Sequence, residues 1–145
     1  MESRLSSGAV ERNDMIYAGF GFRADAPLEC FLEVFERLKK EYCIGTSLSA
    51  IATIAKKAAT PTFKELSDQT SLAIIALHTD DIICQKTKSF SQNVMNIYGT
   101  GSMAEASALA AATLAEPKYG AQLMGPRVVS KHRMVTCAFA RGGQR

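Results

Sequence analysis

Along the chain, apolar residues fall into short continuous runs separated by one clear helical stripe. Met15 to Phe20 is an apolar run followed by Gly21, the pattern of a buried first strand. Pro27 suits the first turn of a helix, and Leu28, Phe31, Leu32, Phe35, Leu38 and Tyr42 then recur at helical spacing, with Glu29, Glu33, Glu36, Lys39 and Lys40 opposite them. Gly45 is placed to close that helix. Leu48 to Ile54 predicts a second strand, Thr60-Pro61-Thr62 a turn and cap, and Phe63 to Gln69 a short helix. The unbroken run Leu72 to Leu77 is of the kind a central strand carries. Thr79 is a candidate cap for a further helical turn, with Asp80 and Asp81 at its positive end. Lys86 to Asn96 is polar without a period and reads as loop, and Asn96 to Tyr98 as a brief strand.

Gly99-Thr100-Gly101-Ser102 then opens a helix that runs to about Ala115 and ends at Pro117 and Gly120. Glu105 stands three residues after Ser102, the spacing of a capping box, and the alanines let this helix approach a sheet closely. Two last strands are expected, near Ala121 to Val129 and Met134 to Ala140. Val128-Val129 and Met134-Val135, joined by Ser130 to Arg133, alternatively pair as a terminal hairpin. Strands alternating with helices predict an α/β fold: three layers, α/β/α, around a central mixed, mostly parallel sheet. Residues 1–14 read as a flexible leader and 15–145 as one domain.

Composition narrows this picture. With 145 residues and 47% hydrophobic content, the chain suffices for one real core, burying roughly 70% of its unfolded surface. No apolar run approaches the ~20 residues of a membrane span, and the start lacks a secretory layout, so a cytoplasmic protein with no membrane partner is expected. Cys30, Cys43, Cys84 and Cys137, with His78 and His132, lack zinc-site spacing. Free buried thiols are expected, with no metal and no cofactor.

The net charge of +3 conceals an asymmetry. All 14 Asp and Glu precede Pro117, whereas Lys118, Arg127, Lys131, Arg133, Arg141 and Arg145 follow it without an acid. Such a segment either attracts anions or forms an ordinary solvated basic face. It lacks the interleaved aromatics of a nucleic-acid stacking platform, so no nucleic-acid partner is expected.

The candidate chemistry lies at predicted strand ends, where open α/β sheets bind ligands. Arg23, just after Gly21, suits bidentate carboxylate binding, or pairs on the surface with Asp25 or Glu29. Lys57 follows the second strand in the same way. Free amides at Gly99, Thr100, Gly101 and Ser102 can cradle an anion at a helix start, or serve as a plain cap. Gly19 and Gly21 lack the third glycine of a dinucleotide fingerprint, and no P-loop lysine is present. His78 is read as a packed strand-end histidine and His132 as exposed. Glu105 is the candidate acid or base, with capping as its other role.

Four blocks together resemble the CobE/CbiG C-terminal family of cobalamin (vitamin B12) biosynthesis. Gly19-Phe20-Gly21-Phe22-Arg23 is similar to that family's opening strand and turn, and Ala52-Thr53-Ile54 with Lys57 to its second-strand segment. Gly99-Thr100-Gly101-Ser102-Met103-Ala104-Glu105-Ala106 is similar to its Gly-Thr-Gly-Ser-x-x-Glu-Ala helix start, and Ser130 to Arg141 to its closing strand. Phe22, Ala24, Ala55, Ala59 and Thr60 depart from the family pattern, the last three where acids usually stand.

The resemblance implies a three-layer domain of the stand-alone CobE type acting in corrin-ring synthesis. Corrinoid intermediates carry many acid arms. The resulting expectation is a protein that binds or processes a corrinoid or precorrin intermediate, with Gly21, Arg23, Lys57, Lys131 and the Gly99 to Ser102 turn as ligand contacts. The alternatives are a hydrolase or lyase on a precorrin lactone using Glu105, and a scaffold passing intermediates between cobalamin-pathway enzymes.

Overall fold

A computed structural model describes residues 15–42, 48–83, 85–115, 117 and 120–142. The expected leader, Gly45, Cys43, Cys84, Lys118 and Arg145 lie outside these. Strand β1 (Met15–Phe22) is followed by helix α1 (Leu28–Glu41), strand β2 (Leu48–Ile54), the single turn α2 (Ala55–Ala58), α3 (Pro61–Thr70), β3 (Ala73–Leu77) and α4 (Thr79–Ile83). The second half carries α5 (Gln92–Tyr98), α6 (Met103–Ala115), β4 (Ala121–Leu123), β5 (Val128–Val129) and β6 (Val135–Gly142).

One six-stranded sheet runs in the order β3-β2-β1-β6-β4, with β5 also paired to β6. Pairs β1·β2 and β2·β3 are parallel, whereas β6 is antiparallel to β1, β4 and β5. Thus β6 alone runs against the other strands, and the sheet is mixed. The terminal hairpin forms, with Val128 opposite Cys137 and Val129 opposite Thr136.

Strand β1 supplies both halves of the core. Its Ile16, Ala18, Phe20 and Phe22 point into one cluster with α1 and α3, and Tyr17 points into a second cluster with α6. Helices therefore cover both faces, giving three layers. Six phenylalanines, Phe20, Phe22, Phe31, Phe35, Phe63 and Phe139, form a connected aromatic network on the first face, with Phe22 stacked on Phe63 at 5.6 Å. The second face is the opposite in character. Gly19 has no room for a side chain, because a Cβ there would run into the Ala104 carbonyl and the Ala108 amide of α6. Alanines at 104, 106, 108, 110, 111 and 112 are all buried. The Gly19 and Gly21 pair thus serves close helix-on-sheet packing.

Several local expectations change. Leu72–Leu77 was expected in the sheet centre, but β3 pairs with β2 alone and is the edge strand. Its run is apolar because Ile74 and Ile75 face the two different core clusters, a pattern that does not separate edge from centre. The predicted strand at Asn96 to Tyr98, and the end of the predicted loop before it from Gln92, is helix α5. Ser91 caps it by accepting from Val94 N, and Gly99 ends it in the left-handed region at φ 76°. Two turns are too short to display a helical period. Thr60 makes no side-chain cap; its hydroxyl donates to the Lys57 carbonyl at 2.8 Å. At α4, helix begins on Thr79 itself, and the His78 amide donates to Asp81 Oδ2 at 3.1 Å. His78 is exposed, not packed, and His132 is exposed.

Candidate functional site

The parallel register sets Gly19 beside Ala52, so β1 and β2 end side by side. The start of β6 lies on the other side of β1, with Phe22 opposite Val135. Three chain segments therefore meet at one sheet edge: the β1 end, the β2–α2 junction, and the Ser130 to Met134 turn. A cleft of ≈ 280 Å³ opens there, lined by Gly21, Phe22, Arg23, Lys57, Ser91, Val94, Met103, Arg127, Val129, Arg133, Met134 and Thr136. Four of these side chains are basic, and among the described residues none of the lining is Asp or Glu.

Arg23 is exposed, and its backbone is pinned between strands by its amide, which donates to the Met134 carbonyl at 2.9 Å. Lys57 is half-buried on α2. Its ammonium donates to the Phe22 carbonyl and lies 5.1 Å from the Phe22 ring centre. Burial, and after it the neighbouring Lys56 charge, holds the Lys57 ammonium below its ordinary value. Arg133 occupies the left-handed region at φ 59°. The turn that carries it is held by Ser130, whose Oγ accepts from both Met134 N and Val135 N at 3.1 Å. A non-glycine residue in this conformation costs of order 1 kcal/mol or more and is met at ligand-binding clamps.

Glu105 lies behind this wall. It is fully buried. Oε1 accepts from the amides of Lys88 at 2.6 Å and Ser89 at 2.8 Å. Oε2 accepts from Ser89 Oγ at 2.6 Å and from Arg127 N at 2.8 Å. Burial alone would push its carboxyl up, but these four donors outweigh burial and hold it below the usual carboxylate range. Half of the expected capping box forms: Glu105 N donates to Ser102 Oγ at 3.3 Å. The carboxylate meanwhile reaches the 88–89 loop and Arg127. It presents no free oxygen to the cleft.

The Gly99 to Ser102 turn divides between two jobs. Gly99 ends α5 and Ser102 caps α6. Thr100, Gly101 and Ser102 are buried. A Cβ on Gly101 would meet the Ser89 carbonyl and Thr87 Oγ1 at 2.9 Å, so the 87–90 loop lies directly over it. None of the four residues lines the cleft, although Met103, the next residue, does. Lys131 also lies elsewhere: its amide donates to Glu33 Oε2 at 3.0 Å, beside α1, and its side chain is exposed.

The cleft thus joins Gly21, Arg23 and Lys57 from the predicted set and leaves out Lys131, Glu105 and the Gly99 turn. Arg127, Arg133, Ser91 and Thr136 were not singled out. The acid-free basic stretch after Pro117 was the available signal for the two arginines. No such signal marks Ser91 or Thr136, which the fold brings in from α5 and β6. Among the described residues, no group of three or more His, Cys, Asp or Glu can hold a metal ion. Cys30 and Cys137 are buried free thiols, and burial pushes the Cys137 thiol well up. Within the same residues, no helix is long and apolar enough to cross a membrane.

The chain matches the family model described as cobalamin synthesis G C-terminus over residues 16–140. Its structure is similar to the crystal structure of CobE, a protein from the cobalamin (vitamin B12) biosynthetic pathway, with TM-score 0.78 and 25% identity, covering 91% of this chain and 94% of that one. The cobalamin biosynthesis protein chiG from Agrobacterium tumefaciens str. C58 shares the fold at TM-score 0.66 and 23% identity, over 90% and 100% of the two chains. A cobalamin biosynthesis protein G homolog from Sulfolobus solfataricus does so at TM-score 0.66 and 16% identity, where the match takes in 92% of this chain but 39% of that one. No curated protein sequence matches. With a family match spanning both ends of the sheet, the chain belongs to the cobalamin synthesis G C-terminus family.

Proposed function

We propose that the strand-end cleft binds a corrinoid intermediate of cobalamin biosynthesis by its carboxylate arms. The observation that carries this reading is the convergence of Arg23, Lys57, Arg127 and Arg133 on one cleft whose lining holds no acid. Guanidinium groups fork carboxylates bidentately, and four basic side chains on a lining without Asp or Glu favour a polyanion. Among the described residues, none of the three arginine side chains has an ion-pair partner. At ≈ 280 Å³ the cleft is smaller than the pockets of about 300–1,000 Å³ that enclose drug-sized ligands. It suits one edge of a macrocycle with its acid arms, the rest of the ring lying outside.

In this reading Glu105 is a positioning residue. It fixes the backbone of Arg127 from behind, and the Ser102-capped start of α6 fixes Glu105. Titration of the pure protein with a corrin polycarboxylate such as hydrogenobyrinic acid tests the proposal. Saturable binding that weakens with added salt is expected. No binding by any corrinoid at tens of micromolar rejects it.

One observation favours a second reading, a scaffold that hands intermediates between pathway enzymes. Ile83, Phe90, Met95 and Ile97 are exposed along the α4–α5 segment, and exposed apolar side chains gathered in one patch mark interaction surfaces. Pull-down with corrin methyltransferases or isomerases, comparing the native chain with Ile97→Ser, tests it.

A further inference from the structure

The cleft is built from two kinds of chain segment. Its basic side chains come from the β1 end, from α2 and from the chain between β4 and β6. Ser91, Val94 and Met103 come instead from α5 and the start of α6. From Ser89 to Ala104 the sequence holds no charged residue, although much of this stretch faces water. Phe90 is 59% exposed, and Met95 and Ile97 are exposed beside Gln92 and Asn96. A surface helix ordinarily turns its charged face to solvent; this one turns large apolar side chains outward. Phe90 stands next to the cleft. Ser91, the residue after it, lines the cleft, and the Ser91 amide donates to the Gly101 carbonyl at 2.7 Å. The Phe90 ring lies against Gly101, where a Cβ would come within 3.1 Å of its Cδ1. Met95 directly follows Val94, which lines the cleft.

We infer that this uncharged segment seats the ligand's ring: Phe90, Val94 and Met95 lie against the apolar face of the macrocycle whose carboxylate arms the arginines hold. The inference rests on the corrinoid reading above and adds the residues that select a ring over other polyanions. A cleft of ≈ 280 Å³ does not enclose a macrocycle, so most of the ring rests on the surface beside it. An apolar ring face gains free energy by covering apolar side chains, and over a segment without Asp, Glu, Lys or Arg it desolvates no charge. An aromatic ring such as Phe90 adds a stacking surface. The two parts of the site are therefore complementary to the two parts of the ligand, basic groups to acid arms and uncharged wall to ring. A small hydrophilic polyanion satisfies the first part and leaves the second uncovered.

The test is calorimetric titration of hydrogenobyrinic acid into the full chain and its Phe90→Ser, Phe90→Tyr, Met95→Ser and Arg127→Ala variants, at low and high salt and at several temperatures. Phe90→Ser is expected to weaken binding about tenfold, the order of one stacking contact, and by the same factor at both salt concentrations. It is also expected to make the heat-capacity change on binding less negative, the mark of apolar surface no longer covered. Met95→Ser is expected to act in the same direction, and Phe90→Tyr to keep wild-type affinity. The loss in Arg127→Ala is expected to shrink as salt rises. Phe90 and Met95 are exposed, so both serine variants are expected to unfold at the wild-type temperature. Wild-type affinity in both serine variants, or a loss that disappears at high salt, overturns the inference and leaves the corrinoid reading standing. Serine variants that keep corrin affinity but release a pathway enzyme in pull-down assign the surface to a protein and overturn it too. A wild type that binds no corrinoid rejects both readings of the site.

Discussion

The Arg127 amide donates to Glu105 Oε2 at 2.8 Å, so a buried carboxylate on α6 fixes the backbone of an arginine that lines the cleft. The same carboxylate holds the 88–89 loop through three more hydrogen bonds. Ser91, which lies in the cleft, follows that loop, and its amide donates to the Gly101 carbonyl at 2.7 Å. One side chain thus ties together two segments of the cleft wall that lie far apart in the chain. Glu105→Gln presents an amide N–H₂ where two donors already point. A loss of about 2–3 kcal/mol in stability is expected, the order of one or two hydrogen bonds to a charged group, readable by urea unfolding. Corrin binding is expected to weaken with it, while Arg127→Ala weakens binding with little loss of stability.

The same carboxylate sets a pH dependence. Its folded-state carboxyl is held below the ordinary value, so the native state binds fewer protons than the unfolded chain as pH falls through the carboxylate range. The stabilisation is complete above the unfolded-state value and is lost as pH drops through the lowered folded-state value. Wild-type stability is expected to fall on acidification more steeply than that of Glu105→Gln. Parallel unfolding curves measured between neutral and acid pH check this; identical slopes contradict it.

The paired glycines of β1 are expected to respond differently to alanine. At Gly19 a Cβ meets backbone atoms of α6 that cannot move without displacing the helix. At Gly21 it meets Met103 Cβ and Thr136 Oγ1 at 3.0 Å, where a few tenths of an ångström suffice. Gly19→Ala is expected to cost about 3 kcal/mol or more, the upper end of overpacking, and Gly21→Ala about 1 kcal/mol. Thermal unfolding of both variants checks the order, which a nucleotide-binding role for the pair does not require.

Arg133 offers a trade between stability and binding. Its φ of 59° suits glycine, so Arg133→Gly is expected to leave stability unchanged or raise it by up to ~1 kcal/mol. It removes a cation from the cleft, so affinity for a polycarboxylate is expected to fall. A variant that loses stability and keeps affinity contradicts both the strain and the role.

Much of the architecture was legible because hydrophobic period and turn residues reported it directly. The stripe from Leu28 to Leu38 became α1, and Val128-Val129 paired back on β6 as the hairpin alternative had it. What failed was non-local. Whether β3 sits at the edge depends on which strands pair, not on its own apolar run. Helix α5 is too short to show a period, and its caps, Ser91 and Gly99, have in sequence the character of a loop and of the opening of the next helix. The site divided along the same line. Arg23 and Lys57 stand out in the sequence because they follow predicted strands, and both line the cleft. Arg127 and Arg133 were visible only as charge in a tail segment, since their place in the cleft is set by the β6 pairing and by Glu105. Lys131 shares that segment, yet the turn directs it to α1.

The central claim is that the acid-free cluster of arginines is a binding site for a polycarboxylate macrocycle. The most direct test is calorimetric titration of hydrogenobyrinic acid into the wild-type protein and into the Arg23→Ala, Arg127→Ala, Arg133→Ala triple variant, each shown to be folded. Saturable, salt-sensitive binding to the wild type, weakened at least about a hundredfold in the variant at roughly 1–3 kcal/mol per charge-assisted contact, is the expected result. Equal affinity of the two proteins contradicts the account.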